Sequence, residues 1–509
     1  MKKILYILLI TLIFTGCSDD DFGVTPFIPV TEAAPPPNPP AYTSGMADFS
    51  NFVSVGNSLT CGYSDGALFI AGQENSFPNI LANQFALAGG GTFSQPLMND
   101  NLGGLLLGGQ QITSNRLYLS FASGSPAPAA VSGTPTTEVS NILTGSFNNM
   151  GVPGAKSYHL GAAGYGNVAG VAVGLANPYY ARMASSPNAT VIGDAMSQNP
   201  SFFSLWIGNN DILGFASSGG AGEDQTGNFD PTTYGGNDIT DPNVFASVYN
   251  GLLGGLASTG AKGIVANIPS VTSIPYFTTV PYNAIPLDAA TAGAVNQGYA
   301  PYNGGIQQAL AALTGTGLFT AEEAAKRTIT FTAGQNAVVI IDEDLTDLGA
   351  INPAFAALPK YRQATAEDLL VLTSQTVLGT VVNNNPQLIN GVSVPLADKW
   401  VLTPEEQEAI EVARTAYNQT IEALAAQYDV AFFDAAQSLL DLVGAGITQN
   451  GITTTAVYAT GGGFSLDGVH PSPRGNAIIV NGMVDVINAK YQSNLPKVNV
   501  GLYTGVYLN

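Results

Sequence analysis

The sequence predicts an α/β fold built on a parallel sheet, because short apolar segments alternate with longer segments of helical periodicity. Strands are predicted at Phe52–Val55, Phe202–Ile207, the stretch from Gly263 to Pro269, and Val430–Phe433. A hydrophobic content of 45% in a chain of 509 residues is enough for a large core. These observations exclude a chain that is disordered throughout and favour one large domain.

The clearest predicted helix is Thr403–Tyr428, directly before the last strand. Thr403 and Glu406 form a capping box around Pro404, which stands at the first helical position. A stripe of apolar side chains follows at helical spacing, which predicts a face buried against the sheet. Its members are Ile410, Ala413, Tyr417, Ile421, Leu424 and Tyr428.

Two further helices and one insertion complete the predicted domain, which covers residues 47–509. Val244–Leu256 has helical periodicity between the second and third strands, and Pro473 opens a last helix that runs to about Tyr491. The stretch from about 270 to 400 has weaker helix and strand patterns, so we interpret it as inserted material. Whether it forms a lid or a separate domain is open.

The first sixteen residues have the order of features of a secretory signal. Lys2 and Lys3 precede an apolar stretch from Ile4 to Phe14 that is too short to span a membrane comfortably. The segment from Leu12 to Cys17 resembles the lipobox of bacterial lipoproteins, which implies cleavage before Cys17 and lipidation of that residue. The alternative is ordinary secretion with cleavage at another position.

The residues after Cys17 extend this resemblance. The segment from Ser18 to Asp21 resembles the acidic export tag of surface lipoproteins in Bacteroidetes-type bacteria, with a solvated acidic tail as the alternative. The resemblance implies an outer-membrane lipoprotein that is exposed at the cell surface and bound to the membrane through its Cys17 lipid. Residues 17–46 include a proline-rich run from Pro35 to Pro40 and are predicted to be an extended tether.

The chain is strongly acidic. It has 15 basic and 36 acidic side chains and a net charge of −21, and loss of the leader with its two lysines would make the charge −23. Such a protein repels phosphate backbones, so nucleic acid is excluded as a partner. If Cys17 carries lipid, Cys61 is the one remaining thiol, and we expect it to be a small buried residue without a disulfide.

The candidate site residues follow the predicted strands. Ser58 lies just after the first strand and Gly56, where open α/β sheets place their sites. Asn210 follows the second strand, and its side-chain amide can donate a hydrogen bond to an oxyanion. The glycine-containing block from Asn149 to Gly154 can present backbone N–H groups to an anion.

His470 is one of only two histidines, and Asp467 lies three residues before it. The carboxylate can turn back to bind one ring nitrogen, which would orient the imidazole and leave the other nitrogen free as a general base. Taken alone, this spacing is a weak signal that leaves a chance occurrence open.

Together, the four blocks resemble the SGNH (GDSL-type) family of serine esterases and lipases. In chain order they read Gly56-Asn57-Ser58-Leu59, Asn149-Met150-Gly151-Val152-Pro153-Gly154, Gly208-Asn209-Asn210-Asp211 and Asp467-Gly468-Val469-His470. The resemblance implies a flavodoxin-like parallel sheet flanked by helices, with large insertions. It implies that Ser58 is the nucleophile, that His470 is the general base and that Asp467 orients it.

The same resemblance implies an oxyanion hole made of the Ser58 and Gly154 backbone N–H groups and the Asn210 side chain. It implies no metal and no organic cofactor. Asn57 stands where the family usually has aspartate, which leaves open how the turn at the serine is hydrogen-bonded.

Other patterns compete with these assignments. Gly62-Tyr63-Ser64-Asp65-Gly66 matches the nucleophile elbow of α/β-hydrolases, but the preceding strand has already ended at Gly56. Asn237 belongs to a second Gly-x-Asn-Asp block, which lies in a polar loop with no strand before it. We therefore favour Ser58 over Ser64 and Asn210 over Asn237.

Two further groups of residues have both a structural and a functional interpretation. His159 is expected to be a hydrogen-bonded structural histidine, with a place in the substrate pocket as the alternative. Asp342, Glu343, Asp344 and Asp347 could bind calcium, but the run lacks the glycine and terminal glutamate of an EF-hand loop. A solvated acidic turn is the preferred interpretation.

The expected function is hydrolysis of carboxylic esters by a surface-tethered serine hydrolase. Acyl esters are the first substrate class, because the composition is apolar and large loops surround the site. The alternatives are the removal of acetyl groups from glycans and a non-catalytic, glycan-binding lipoprotein on a hydrolase fold.

Overall fold

The computed structural model describes residues 41–122, 124 and 126–508, and its centre is a five-stranded parallel sheet. The strands are β1 (Phe52–Gly56), β2 (Asn149–Gly151), β3 (Phe202–Trp206), β4 (Lys262–Ala266) and β5 (Ala431–Phe433). Their order across the sheet is 2-1-3-4-5, a common order of doubly wound α/β sheets. The predicted α/β class with a parallel sheet is therefore confirmed.

Helices surround this sheet and fill its connections. Within the described ranges they are α1 (Ser58–Cys61), α2 (Ile70–Glu74), α3 (Phe77–Ala86), α4 (Val168–Val171), α5 (Pro178–Ala181), α6 (Val191–Met196), α7 (Asn210–Ser217), α8 (Pro242–Ala257), α9 (Pro275–Thr278), α10 (Ala289–Ala312), α11 (Ala321–Arg327), α12 (Leu348–Ile351), α13 (Pro404–Gln427), α14 (Ala435–Val443) and α15 (Pro473–Tyr491). Short 3-10 helices lie at Ser157–Gly161, Pro231–Thr233, Val271–Ser273, Pro353–Phe355, Leu372–Thr376, Asp398–Trp400 and Val500–Leu502.

Small sheets of two or three short strands lie outside the central sheet. Their strands are Leu105–Leu107, Gln110–Gln111, Leu117–Ser120, Ala127–Ala130, Thr137–Glu138, Ile285–Leu287, Gly334–Asn336, Val339–Ile341, Tyr361–Gln363, Leu369–Leu370, Val401–Leu402, Ile447–Gln449 and Ile452–Thr454. All of them belong to connections between the elements of the central sheet or follow its last strand.

The two faces of the central sheet pack against different helices. Phe52, Phe202 and Trp206 belong to a buried cluster with side chains of α3 and α15. Val53 and Phe203 alternate with them along the strands and pack with side chains of α8 and α13. Every residue of β1 and β3 is buried, as expected for parallel strands that are covered on both faces.

Helix α13 confirms the helix predicted at Thr403–Tyr428. The Thr403 N–H donates to Glu406 Oε2 at 2.6 Å, so this part of the predicted cap is present. The stripe residues from Ile410 to Ile421 are buried, and the Tyr417 ring stacks on Phe245 of α8 with ring centres 4.2 Å apart. Leu424 and Tyr428 at the end of the stripe are only half-buried.

One strand of the sheet was not predicted. Asn149–Gly151 belongs to the glycine-containing block, for which no strand was predicted, whereas the structure pairs it with β1 as the edge strand β2. With three residues and Met150 as its one large apolar side chain, this strand has no sequence pattern of its own. Its place depends on pairing with the buried strand beside it, and the Asn149 side chain adds a bond to the Thr60 carbonyl at 3.0 Å.

The stretch from about 270 to 400 has more helix than its sequence pattern indicates. Helix α10 spans 24 residues although it contains four glycines and Pro301, which lower its helical propensity. Burial stabilises it, since Tyr299 and Ile306 contribute to two apolar clusters formed within this stretch. Residues 42–509 nevertheless form one compact unit, and the Tyr276 N–H donates to the Gly468 carbonyl at 2.9 Å.

The predicted leader, Cys17 and the tether up to residue 40 lie outside the described residues. The end of the predicted tether needs a correction. The Thr43 N–H donates to Asn494 Oδ1 and the Met46 N–H to the Tyr491 carbonyl, both at 2.7 Å, so the folded domain begins before residue 47. In the described part of the chain, no helix is long and apolar enough to cross a membrane.

Candidate active site

The candidate site lies where three neighbouring strands end level with each other. Gly56, the last residue of β1, is paired with Gly151 of β2 on one side and with Trp206 of β3 on the other. The strand order reverses next to β1, and at such a point the connections leave towards opposite faces and open a crevice. Ser58, Gly154 and Asn210 follow these three strand ends, so the sheet brings the predicted blocks together.

The turn that holds Ser58 is fixed by its neighbours. Asn57 Oδ1 accepts a hydrogen bond from the Leu59 N–H at 3.0 Å and caps α1, while Asn57 Nδ2 donates to Asn209 Oδ1 at 3.1 Å. A Cβ atom at Gly56 or Gly151 would overlap α1, so this close approach requires glycine at both positions. Asn57 therefore holds the turn in place and links it to the asparagine block.

Ser58, His470 and Asp467 form one hydrogen-bonded line. Ser58 Oγ lies 2.8 Å from His470 Nε2, and His470 Nδ1 lies 2.9 Å from Asp467 Oδ2. With the carboxylate ionised, Nδ1 carries the proton, and Nε2 is free to accept the proton of the serine hydroxyl. The structure thus brings together three residues that are separated by up to 412 positions in the chain.

Asp467 is surrounded by donors. Its Oδ1 accepts hydrogen bonds from the Ser465 hydroxyl and from the N–H groups of Val469 and His470, each at 2.9 Å. Its Oδ2 accepts from the Gly66 N–H at 3.0 Å in addition to the imidazole. Burial alone would raise the pKa of Asp467, but the imidazole and these N–H donors outweigh it and lower the pKa to about 2.

The segment around Gly66 contributes to the site in a way that the sequence does not predict. This segment matches a nucleophile elbow, yet the Ser64 hydroxyl has no hydrogen-bond partner in the described structure, and Gly66 is the residue of the motif that contacts Asp467. Gly66 has a φ of +77°, a conformation that suits glycine, and it turns its N–H towards the carboxylate. No sequence pattern links a glycine to a carboxylate 401 residues away.

Two more side chains of this segment touch the catalytic loop. The Tyr63 ring packs on the His470 ring with ring centres 4.9 Å apart. Asp65 Oδ1 accepts a hydrogen bond from the Leu466 N–H at 2.8 Å, whereas its Oδ2 is buried without a partner. Burial raises the pKa of Asp65 to about 7, and the nearby Asp467 adds to this effect.

The predicted oxyanion donors lie at the same strand ends. The N–H groups of Ser58 and Gly154 have no hydrogen-bond acceptor within the described ranges of the chain. Gly154 has a φ of +77°, and a Cβ there would meet open space, so its backbone borders a free volume. Asn210 Nδ2 donates to the Ala155 carbonyl at 2.9 Å, which fixes the amide and leaves its second hydrogen available.

A pocket of about 860 Å³, its open mouth included, begins at Ser58 and His470. Its walls are mostly aliphatic and aromatic side chains from α7, α14, α15 and the loop after β4. They are Leu59, Trp206, Leu213, Pro269, Val271, Ile274, Phe433, Leu439, Leu442, Ile447, Phe464, Val469, Ile478 and Ile479. The few polar residues at this pocket include Ser58, Asn210 and His470.

The competing candidates have structural partners elsewhere. His159 Nδ1 accepts a hydrogen bond from the Lys156 N–H at 3.1 Å, and the ring stacks on Tyr165 with centres 4.7 Å apart. Burial, and then the Lys156 charge, lower the pKa of His159 to about 4. His159 lines a groove with Tyr165 and Tyr234 and does not line the pocket at Ser58, as expected for a structural histidine.

The second Gly-x-Asn-Asp block also has a structural explanation. Asp238 accepts hydrogen bonds from the N–H groups of Gly235 at 2.7 Å and Glu223 at 3.1 Å, which closes a loop, while Asn237 is exposed. Cys61 is buried, as expected, and burial raises the pKa of its thiol to about 12, which disfavours the reactive thiolate.

Comparisons of the chain with protein-family models, with curated proteins and with solved structures found no match. The function must therefore be inferred from the chain's own residues. A hydroxyl, an imidazole and a carboxylate in one line, beside N–H groups without acceptors, are the groups that acyl transfer requires.

Proposed function

We propose that the protein is a serine ester hydrolase of the SGNH (GDSL) type. The observation that carries this proposal is the hydrogen-bonded line from Ser58 through His470 to Asp467 at the carboxyl ends of β1 and its neighbours. A strand order of 2-1-3-4-5 and the four sequence blocks at the strand ends and the last loop support the family assignment.

In the proposed mechanism, Ser58 Oγ attacks the ester carbonyl carbon while His470 Nε2 accepts the hydroxyl proton. Asp467 keeps the proton on Nδ1 and stabilises the imidazolium that forms. When the tetrahedral intermediate collapses, His470 gives its proton to the alcohol oxygen, and the alcohol leaves. Water then attacks the acyl-serine ester, with His470 again accepting a proton and returning it to Ser58 Oγ as the acid is released.

The negative oxygen of each tetrahedral intermediate needs donors that are already in place. We assign this role to the Ser58 and Gly154 N–H groups and to the free amide hydrogen of Asn210. In the described structure, none of these hydrogens is used by another acceptor, which supports the assignment. Donors that are already in place stabilise the developing negative charge without having to move.

The pocket beside Ser58 favours an acyl ester as substrate. Its largely apolar wall suits a hydrocarbon chain, whereas a glycan would need polar partners for its hydroxyl groups. The apolar side chains of this wall come from several elements around Ser58 and are more numerous than an acetyl group could contact. We therefore propose a lipase-like or esterase-like activity on acyl chains longer than acetyl.

A series of p-nitrophenyl esters from acetyl to palmitoyl tests both the activity and the substrate. We expect kcat/KM to rise from acetyl to longer chains in the wild type and hydrolysis to be abolished in Ser58→Ala. Leu439→Trp, which narrows the pocket, should reduce activity on long chains more than on acetyl. Leu440→Trp is the matched control, because Leu440 is the next residue of α14 and is 56% exposed.

Two outcomes would contradict these assignments. Turnover retained by Ser58→Ala would refute Ser58 as the nucleophile. A preference for acetyl that Leu439→Trp leaves unchanged would refute the acyl-chain pocket and favour removal of acetyl groups from glycans.

We also propose that the protein is an outer-membrane lipoprotein at the cell surface, anchored through Cys17. The proposal depends on the leader and on the acidic residues after the cysteine. Metabolic labelling with radioactive palmitate tests it. The label is expected on the wild type and on Cys61→Ser and should be absent from Cys17→Ser, whereas equal labelling of all three would contradict the anchor.

A further inference from the structure

Three carboxylates from three different elements meet beside the start of α13. Glu343 lies in the turn after the strand Val339–Ile341, Asp398 opens the 3-10 helix Asp398–Trp400, and Glu406 lies in the first turn of α13. Carboxylate oxygens of the three side chains all lie within 4.8 Å of one another. Two oxygens that bind the same calcium ion at about 2.4 Å lie at most about 5 Å apart, so this spacing fits such an ion.

Glu406 lacks a full set of hydrogen-bond partners. The residue is only 7% exposed, and while its Oε2 accepts from the Thr403 N–H, its Oε1 is buried and has no partner. Gly220 packs so closely that a Cβ there would overlap Oε1. A buried carboxylate oxygen without a donor is strongly unfavourable, unless it is protonated or a cation binds to it.

No basic side chain of the described residues neutralises the three carboxylates. Lys326 Nζ lies near Glu405 and Asp342, at 3.8 Å and 4.0 Å, and Arg362 pairs with Asp342 and Asp368. None of the ion pairs in this part of the chain includes Glu343, Asp398 or Glu406.

We propose that Glu343, Asp398 and Glu406 bind a calcium ion that joins the inserted stretch to α13. The donors are all oxygens, which hard cations prefer, and no histidine or cysteine belongs to the described cluster. Calcium is favoured over magnesium because it accepts mono- and bidentate carboxylates in variable geometry, whereas magnesium requires a near-ideal octahedron. Glu343 is exposed, so the ion can enter from solvent and keep water ligands on that side.

Calorimetric titration of the full chain, after treatment with EDTA, tests this site with calcium chloride as the probe. We expect one calcium ion per chain and a higher melting temperature in calcium than in EDTA. Glu406→Gln keeps a side chain that can cap α13 but removes one charge, so it should weaken calcium binding by at least about tenfold. In EDTA, this variant should melt no lower than the wild type, because it also removes repulsion.

Two further variants complete the test. Asp398→Asn should weaken calcium binding in the same way and replaces Glu406→Gln if that variant fails to fold. Glu408→Gln is the matched control, because Glu408 is exposed on the same helix and lies outside the cluster, so its calcium binding should equal that of the wild type.

Failure to bind calcium at millimolar concentration, or unchanged binding by Glu406→Gln and Asp398→Asn, would overturn the proposal. Binding of magnesium as tight as that of calcium would overturn the choice of metal. Calcium binding and the melting temperature do not depend on ester hydrolysis. Failure of the calcium proposal is therefore distinguishable from failure of the proposed enzyme activity.

Discussion

The loop of Asp467 and the cluster around Glu406 bury the same chemical group in opposite ways. Asp467 accepts hydrogen bonds from three N–H groups, one hydroxyl and the imidazole, and its pKa is held at about 2. Glu406 has one N–H donor for one oxygen and none for the other, and burial raises its pKa. The two regions show that donors, and not burial alone, decide whether a buried carboxyl is charged.

The number of donors around a buried carboxylate therefore indicates which of two roles it has. A carboxylate that must stay charged through a catalytic cycle needs a complete set of fixed donors, as Asp467 has. A cluster with too few donors, such as that of Glu343, Asp398 and Glu406, is completed by a cation from solution. Substitutions that remove a donor or a charge at the candidate active site test this comparison, and the largest effect is expected at Asp467.

Asp467→Asn removes the charge but keeps the size of the side chain. The amide N–H would face His470 Nδ1 and make it an acceptor, so the proton would move to Nε2, which could no longer accept the proton of Ser58. We expect kcat/KM for a p-nitrophenyl ester to fall by about four orders of magnitude. Asp485→Asn on the exposed side of α15 is the control and should keep wild-type activity. A loss below tenfold for Asp467→Asn would mean that the carboxylate does not orient the base.

Asn210→Ala removes a donor that is held in place by the Ala155 carbonyl. If this amide stabilises the oxyanion, kcat should fall by about two to three orders of magnitude while the protein stays folded. The control is Asn237→Ala, because Asn237 belongs to the second Gly-x-Asn-Asp block and is exposed. Steady-state kinetics that give the same kcat for both variants would remove Asn210 from the oxyanion hole.

Asp65→Asn tests a third buried carboxyl, which has a donor for one oxygen only. The folded state raises the pKa of Asp65 from 3.8 to about 7, so between these values it binds more protons than the unfolded state. Stability should therefore fall as pH rises from about 4 to 7, by at most about 1.4 kcal/mol per pH unit.

Asparagine tolerates the φ of +51° at position 65, so the substitution itself should not strain the backbone. Urea unfolding at several pH values in the presence of calcium should show a smaller fall in stability for Asp65→Asn than for the wild type. Identical pH profiles would show that Asp65 does not hold an excess proton in the folded state.

The parts of the fold that could be predicted are those with a local pattern. α13 and α15 have caps and apolar stripes, and β1 and β3 are apolar runs, so their sequence indicated both type and position. β2 has three residues and depends on its pairing with β1, which no local pattern records. Helix α10 was missed because its glycines and Pro301 oppose a helix that tertiary burial stabilises.

The candidate site shows the same division. Ser58, Asn210 and His470 could be predicted because each belongs to a short block of adjacent residues. Gly66 could not, since its contact with Asp467 joins segments 401 residues apart. The acidic cluster was missed for the same reason: the sequence suggested that Glu343 belonged with its neighbours Asp342, Asp344 and Asp347, whereas the fold brings it to Asp398 and Glu406.

Labelling with a fluorophosphonate tests the central claim most directly, because the reagent forms a phosphorus–oxygen bond with an activated serine as fluoride leaves. We predict one labelled peptide, which contains Ser58, in the wild type and in Ser64→Ala, and no label in Ser58→Ala. Such a result would also exclude a non-catalytic binding protein. A wild-type protein that stays unlabelled, or a label on another serine, would contradict the account.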